Sequence, residues 1–263
     1  MNDFNMAVTM TWSNILTKIQ RQISMFHARN VNILQRAIII NVLVLSKVWY
    51  ASHTYPLSVK HARAINKIVF PYIWNSAGEF LKRNILYRSK ECGGINLLSV
   101  YTKALSIYTN TFLHAFLKSG ENDSIMKYYC AARLNPLFVI REMPINVNYV
   151  GTLYFNICVD EVRKCKDLKG FPNITSKDIY QHLLETENSS AAIVEEKYSL
   201  FNWKEIWRNV ASNLLSSHER AIIFKYSHEI LPNRYRLFTM RKIPSPNCVF
   251  CDKEDNNMHM LYF

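Results

Sequence analysis

The sequence is poor in glycine and proline and lacks a long apolar run. Only 6 of its 263 residues are glycine and 8 are proline, which excludes collagen-like and linker-rich chains. No uninterrupted apolar stretch reaches the roughly 20 residues that cross a bilayer, and the longest candidate, Ala37 to Leu45, is broken by Asn41. The first ten residues include Asp3 and no apolar core of a secretory signal. We therefore expect an intracellular chain, in the nucleus or the cytoplasm, that is not secreted and has no membrane partner.

The cysteines do not form the spacing pattern of a disulfide framework. In a long chain without a secretory signal, reduced thiols are the expected state. Only the last two are close enough in sequence to suggest a metal site. The six cysteines are Cys92, Cys130, Cys158, Cys165, Cys248 and Cys251.

Acidic residues are scarce in the first part of the chain. Residues 1–118 carry 14 basic and 3 acidic residues, a net charge of +11. Residues 119–200 have a net charge of −2 and residues 201–263 of +3, which completes the +12 of the whole chain. A basic region of this kind typically meets nucleic acid, a membrane surface or an acidic partner. A solvated helical surface without a partner is the alternative interpretation.

Apolar periodicity predicts a mainly α-helical fold. Helical spacing begins at Trp12, and a second helix over about 32–51 is apolar nearly all round, so we expect it to be buried. Ser58 is a candidate N-cap for a third helix, which Pro71 should kink or stop. The segment from Ile95 to Leu97, after a Gly-Gly turn, is a candidate short strand.

The last third of the chain also reads as helical. A helix is predicted over Asn202 to Leu215, and Ser216 with Glu219 forms a capping-box pattern for the next one. Asn233 should begin a short basic helix, and the region between the two helical parts is less regular. We therefore predict a helical bundle at 1–118, an irregular connection at 119–200 and a second helical unit at 201–263 that ends in an incomplete zinc-knuckle loop.

Cys248 and Cys251 form a C-x2-C pair, and His259 follows Cys251 after seven intervening residues. Zinc favours thiolate and imidazole ligands in a tetrahedron, and this spacing lets three donors converge on one ion. A fourth protein ligand is missing, so the predicted zinc site is incomplete. A chance pair or a redox pair are the alternatives; the redox interpretation is disfavoured because no strand leads into the pair and no helix clearly follows it.

Catalytic motifs are absent from the sequence. It contains no phosphate-binding G-x-x-x-x-G-K loop, no G-x-S-x-G and no H-E-x-x-H. No two aspartates are adjacent, whereas a polymerase needs carboxylates that hold two metal ions. We therefore expect no enzymatic activity from this chain alone, no catalytic residues and no small-molecule substrate.

The order of several motifs resembles LINE-type (non-LTR) retrotransposon reverse transcriptases. The first half is similar to the segment after the polymerase palm, the thumb, and the second half to the C-terminal zinc-binding region of that family. The matching motifs of the first half are Trp12-Ser-Asn-Ile-Leu-Thr-Lys-Ile19, Leu34-Gln-Arg36, Ile68-Val-Phe-Pro-Tyr-Ile-Trp74 and Glu91-Cys-Gly-Gly-Ile-Asn-Leu97. Those of the second half are Phe224-Lys-Tyr-Ser-His228, Leu231-Pro-Asn-Arg234 and Pro246-Asn-Cys248.

The resemblance extends to the metal loop and has clear departures. The family's knuckle resembles C-x2-C-x7-H-x4-C, of which Cys248, Cys251 and His259 match the first three positions, while the fourth would fall one residue past Phe263. The palm with its paired aspartates and the endonuclease are absent. The chain therefore resembles a truncated reading frame of this family.

The resemblance implies template RNA and target DNA as partners, and hence a nucleic-acid-binding fragment of a reverse transcriptase. A helical protein-interaction module with a basic face, or an inert relic, are the alternatives. Tyr72, Trp74 and Tyr87 are candidates for stacking on unpaired bases, with core packing the favoured interpretation for Trp74. The predicted phosphate contacts are Lys18, Arg21, Arg29, Arg36, Lys82, Arg83, Arg88, Lys90, Arg234 and Arg236.

Overall fold

The computed structural model describes residues 2–118, 153–170, 173–187, 193–257 and 259. These residues form helices, and the part of the chain that is described contains no β-strand beyond one isolated bridge between Asn247 and Glu254. The predicted mainly α fold is confirmed. The first part of the predicted irregular connection, residues 119–152, lies outside the described residues.

The helices are short apart from the first, fourth and sixth. In chain order they are α1 (Asn2–His27), α2 (Ile33–Ile39), a π-helical turn (Ile40–Val44), α3 (Ser46–Ala51), α4 (Val59–Trp74), α5 (Arg83–Tyr87), a 3₁₀ turn (Lys90–Cys92), α6 (Val100–Lys118), α7 (Leu153–Lys164), α8 (Ser176–Glu187), α9 (Ile193–Lys197), α10 (Trp203–Val210), α11 (Ser217–Ser227) and α12 (Arg234–Thr239).

The chain folds into two compact units, each assembled from three segments. Unit 1 comprises Met1–Phe26, Val42–Val69 and Leu98–Ser189, and unit 2 comprises His27–Asn41, Phe70–Leu97 and Ser190–Phe263. The sequence-predicted boundaries, after residues 118 and 200, divide the chain into consecutive stretches. Unit 2, in contrast, contains residues of both predicted helical regions, 1–118 and 201–263.

Unit 1 packs largely through aliphatic side chains. Trp12 on α1 is fully buried, and its Nε1 donates a hydrogen bond to the carbonyl oxygen of Pro56 at 3.0 Å. An apolar cluster joins α6, α7 and α8 with two residues that lie between α7 and α8. Its buried members are Leu113, Val159, Val162, Cys165, Ile174, Ile179 and Leu183.

Unit 2 packs around the ring of Trp207 on α10. This ring stacks on the imidazole of His228, with ring centres 4.8 Å apart, and on the indole of Trp203 at 5.3 Å. The predicted Gly-Gly turn lies against it: a Cβ on Gly93 would be 2.6 Å from the Trp207 ring, and one on Gly94 would be 2.1 Å from the carbonyl oxygen of Arg88. Only glycine fits at both positions.

Local capping signals are confirmed by the structure. The Ser216 hydroxyl accepts from the Glu219 N–H and the Glu219 carboxylate accepts from the Ser216 N–H, which is the predicted capping box. Asn233 caps α12, since its side-chain oxygen accepts from the Arg236 N–H at 2.8 Å. The helix predicted to reach Leu215 ends earlier, at Val210.

Two other predictions about local structure, a helix stop at Pro71 and a strand at Ile95 to Leu97, are wrong. Helix α4 continues through Pro71 to Trp74, because Phe70, Tyr72 and Ile73 around the proline are all buried and their burial offsets the roughly 3 kcal/mol of the lost helical bond. The predicted strand after the glycines is absent. Instead, the N–H groups of Ile95 and Leu97 both donate to the carbonyl oxygen of Leu86.

The predicted second helix forms, but it is not buried all round. It contains a π-helical turn, and several of its apolar side chains, such as Val42 and Tyr50, are exposed. The stretch Ile33–Ala51 has the length and composition to cross a membrane, with 44% of its most apolar window buried, although Arg36, Asn41 and Lys47 interrupt its apolar residues. Core helices of soluble proteins share these properties, and Ile40, Val44 and Val48 pack in the interior as core residues do.

Candidate metal centre and basic surfaces

The C-x2-C pair lies in a tight turn. The Cys248 N–H donates to the carbonyl oxygen of Lys253 at 2.7 Å, and the Asp252 N–H donates to the carbonyl oxygen of Cys248 at 3.1 Å. Asp252 closes the turn with a φ of 57°, a left-handed conformation that aspartate tolerates better than most residues. The bridge between Asn247 and Glu254 closes the base of the turn.

This turn is attached to the first residues of α12. The Asp255 carboxylate accepts a hydrogen bond from the Arg234 N–H at 3.1 Å, and the Asp255 carbonyl oxygen accepts from the Tyr235 N–H at 3.0 Å. The side-chain N–H of Asn233 donates a hydrogen bond to the side-chain oxygen of Asn257 at 2.6 Å. The free N–H groups at the start of the helix are thereby satisfied by the loop and the cap, which fixes the loop on a helix of its own unit.

Three donor atoms converge in the loop, from Cys248, Cys251 and His259. They all lie within 4.8 Å of one another, and the Cys251 Sγ is 3.4 Å from the His259 Nε2. Donors around a tetrahedral zinc ion are about 3.5–4 Å apart, so a small contraction would bring all three onto one ion. The predicted group could therefore hold a metal ion.

The loop also prepares one of its thiols to bind a metal. The backbone N–H of Phe250 donates to the Cys248 sulfur. This hydrogen bond has the largest effect, and the contact with His259 the next largest, in lowering the pKa of Cys248 to about 7. A fraction of this residue is thus thiolate at neutral pH, the form that binds zinc. Burial has the opposite effect in unit 1, where it raises the pKa of Cys165 to about 11.

The predicted phosphate contacts differ in their exposure. Lys18, Arg21, Arg29 and Lys82 are exposed. Arg36 is buried: its Nε donates to the carbonyl oxygen of Val31 at 2.9 Å, and its Nη1 donates to that of Tyr72 at 2.7 Å. The prediction that Arg36 contacts phosphate is wrong, because the guanidinium is used to hold two backbone segments of unit 2.

Arg83 and Arg88 are engaged by carboxylates. Arg83 pairs with Glu79 through both carboxylate oxygens, which raises its pKa, and it lies 4.2 Å from the centre of the Phe70 ring. Arg88 pairs with Glu195 at 3.1 Å and is largely buried.

The remaining predicted contacts, Lys90, Arg234 and Arg236, are all partly buried. The Nη1 of Arg236 donates to the carbonyl oxygen of Glu229, and burial lowers its pKa. These side chains are less accessible to a phosphate than the four exposed ones.

A row of cations on α4 was missed by the sequence analysis. Lys60, Arg63 and Lys67 are all exposed, and their spacing of three and four residues puts them on one face of the helix. Within the described part of the chain none of the three forms an ion pair. The sequence does contain the signal: residues 4–78 hold eight Lys and Arg and no Asp or Glu.

The aromatic predictions have mixed outcomes. Tyr72 is buried, so its predicted role in base stacking is wrong, and the favoured core interpretation of Trp74 is confirmed by its burial. Tyr87 packs edge-on against Phe70 at 6.5 Å. Tyr50, in contrast, is 85% exposed.

Comparison of the chain with protein-family models, with curated proteins and with solved structures finds no match in any of the three. The resemblance of its motifs to LINE-type reverse transcriptases therefore stays a prediction.

Proposed function

We propose that this chain is the nucleic-acid-binding part of a LINE-type reverse transcriptase, without the polymerase palm and the endonuclease and without catalysis of its own. It acts in the nucleus or the cytoplasm, on template RNA and target DNA. The family is inferred from the sequence motifs that resemble those of LINE-type reverse transcriptases. Nucleic-acid binding is inferred from one observation: the acid-free run of residues 4–78 presents exposed cations on two helices.

Five of the exposed cations of this run form no ion pair among the residues that the structure describes. Lys18 and Arg21 on α1, and Lys60, Arg63 and Lys67 on α4, form no ion pair among the described residues. An anion that binds them displaces only water and counterions, which favours association with phosphate. Burial, and after it the charge of Lys60, lower the pKa of His61. The imidazole next to Lys60 on α4 is therefore protonated less readily than that of an ordinary histidine.

The Cys248–Cys251–His259 group supports a zinc ion as a structural element of the same function. Zinc would fix the loop that is attached to α12, and the chemistry of two thiols and one imidazole suits zinc. We therefore assign the ion a structural role rather than a catalytic one.

Salt dependence tests the electrostatic part of the proposal. Binding of a labelled single-stranded RNA is followed by fluorescence anisotropy over a series of potassium chloride concentrations. Log affinity should fall steeply with log salt, and the double variant Lys60→Gln/Lys67→Gln should reduce the slope by about 1.4, at about 0.7 for each lost phosphate contact.

The matched control removes the same charge from paired residues. Arg83→Gln/Lys197→Gln also lowers the net charge by two, but Arg83 pairs with Glu79 and Lys197 with Glu229. Its slope should stay close to that of the unmodified chain. Binding that ignores salt, or equal slopes for the two double variants, contradicts the proposal. Tighter retention on polyglutamate than on RNA supports instead the alternative of a protein-interaction module.

A further inference from the structure

A cleft in unit 1 lies between α1 and α3. It has a volume of about 540 Å³, within the range of about 300–1,000 Å³ of sites for small ligands. Its walls combine three kinds of groups: apolar Ile15 and Ala51, basic Lys18 and Lys47, and the ring of Tyr50. Hydroxyl and amide side chains complete the lining, and no carboxylate contributes to it.

The two lysines make the cleft a site for an anion. Lys18 is exposed, and the Lys47 ammonium donates to the side-chain oxygen of Gln22, a neutral partner. Gln22 is itself oriented, because its Nε2 donates to the carbonyl oxygen of Leu43 at 3.1 Å. An ammonium has three donors, so Lys47 is held in place while keeping N–H groups for a ligand. The nearest acidic residues in the sequence are Asp3 and Glu79.

Tyr50 gives the cleft an aromatic side. The residue is 85% exposed, so one face of its ring is accessible to a planar group. A nucleobase combines a planar face with a phosphate at a short distance, and stacking of a base on an aromatic side chain tolerates any sequence. An acidic peptide would match the lysines but has no group that needs the ring. A base in a duplex has both faces covered by its neighbours, so only an unpaired one can use it.

We propose that this cleft binds one unpaired nucleotide of a single-stranded nucleic acid, with the base on the ring of Tyr50 and the phosphate between Lys18 and Lys47. The inference rests on the proposed nucleic-acid binding and adds a defined subsite to it. It also assigns different tasks to two surfaces: the cations of α4 contact the backbone of any strand, while the cleft distinguishes single strands from duplexes.

The test compares Tyr50→Ala with Tyr50→Phe on single-stranded RNA, single-stranded DNA and a duplex of the same sequence. Loss of one base stack should weaken binding of both single strands about tenfold, and duplex binding should not change. Tyr50→Phe keeps the ring and should bind like the unmodified chain. Because Tyr50 is exposed, the truncation should not affect folding, which circular dichroism verifies.

Phe201→Ala is the matched control, since it removes an aromatic residue of unit 2 that is 60% exposed; it should not alter binding of any of the three nucleic acids. A second measurement uses RNA that contains photoreactive thiouridine, which should crosslink to the peptide that holds Tyr50. The proposed nucleotide site is wrong if Tyr50→Ala weakens binding of duplex and single strand equally. It is also wrong if the variant weakens binding of only RNA or only DNA, or has no effect while the unmodified chain binds RNA. If the unmodified chain binds no nucleic acid, the cleft and the proposed function both fail.

Discussion

Unit 1 and unit 2 use their polar side chains in different ways. In unit 1 the described core of α6, α7 and α8 is aliphatic, and the cations of α1 and α4 project from the surface without ion pairs among the described residues. In unit 2 polar groups hold the packing together. Glu195 accepts from both Arg88 and the indole N–H of Trp207, and Arg36 donates to two backbone carbonyls.

This difference predicts two kinds of sensitivity to substitution. The binding attributed to unit 1 is a sum of similar charges, so each loss should weaken it by a similar small step. Unit 2 depends on contacts between individual atoms, and loss of one partner leaves a buried polar group or a collision. Single changes should therefore have larger effects in unit 2 than matched changes in unit 1.

The largest effect is expected at the metal loop. His259→Ala or Cys251→Ala removes one of the three donors and should weaken zinc binding about a hundred- to a thousandfold, since structural zinc sites bind with about 10–16 kcal/mol over four ligands. Competition against a chromogenic chelator measures the change. An added cysteine after Phe263 should tighten binding, as the family pattern implies.

Cys92→Ser is the control for the loop variants, because Cys92 is an exposed thiol elsewhere in unit 2. Its zinc affinity should equal that of the unmodified chain. Equal zinc affinities for this control, for His259→Ala and for the unmodified chain would show that the three donors do not form a site. Equal affinities with and without the added cysteine would remove the support that the metal loop gives to the family resemblance.

The next effect in size concerns the Gly-Gly turn of unit 2. Gly94→Ala should destabilise the protein by about 3 kcal/mol or more, because the new Cβ would lie 2.1 Å from a backbone oxygen that cannot move aside cheaply. The comparison is Gly170→Ala in unit 1, where φ is +91° but no atom lies within 4 Å of the new Cβ. Only backbone strain remains there, about 1 kcal/mol. Urea unfolding measures both, and equal losses would break the contrast between the units.

The part of the fold that sequence could predict is the part that is set locally. Helix caps such as Ser216 with Glu219 depend on residues three positions apart, and the metal group spans only residues 248–259. Where distant residues decide, the predictions were wrong. Pro71 lies inside a helix because the side chains around it are buried, and Arg36 is buried because its carbonyl partner comes from Tyr72, far along the chain.

The same reasoning explains the outcome for the basic residues. Arg88 and Lys60 are alike in a charge count, yet Arg88 pairs with Glu195, more than one hundred positions away, and Lys60 is exposed. Spacing along α4 together with the acid-free run of residues 4–78 would have singled out Lys60, Arg63 and Lys67. The pairing of Arg88 has no local signal, since Arg88 follows α5 and Glu195 lies on α9, in a distant segment of unit 2.

The smallest expected effect is a dependence of stability on pH, centred on His228 in unit 2. Its Nε2 is 2.8 Å from the carbonyl oxygen of Gly93, which can only accept, so Nε2 carries the proton and the buried Nδ1 has no partner among the described residues. Burial is the main cause that lowers the pKa of His228, aided by Arg88 and opposed by the Gly93 contact and by Glu195. The unfolded chain therefore binds a proton more readily than the folded one.

Stability should thus be complete above about pH 6.5, the ordinary imidazole value, and should fall as the pH drops below it. His228→Gln should flatten this dependence, since glutamine stays neutral.

His61 in unit 1 is the comparison. Burial lowers its pKa too, but its ring is less buried and bonds to the Ser58 hydroxyl, so His61→Gln should change the dependence less. Free energies of unfolding from urea titrations at a series of pH values decide the matter. An unchanged slope in His228→Gln, or a larger change in His61→Gln, would place the pH sensitivity outside the Trp207–His228 stack and remove this difference between the two units.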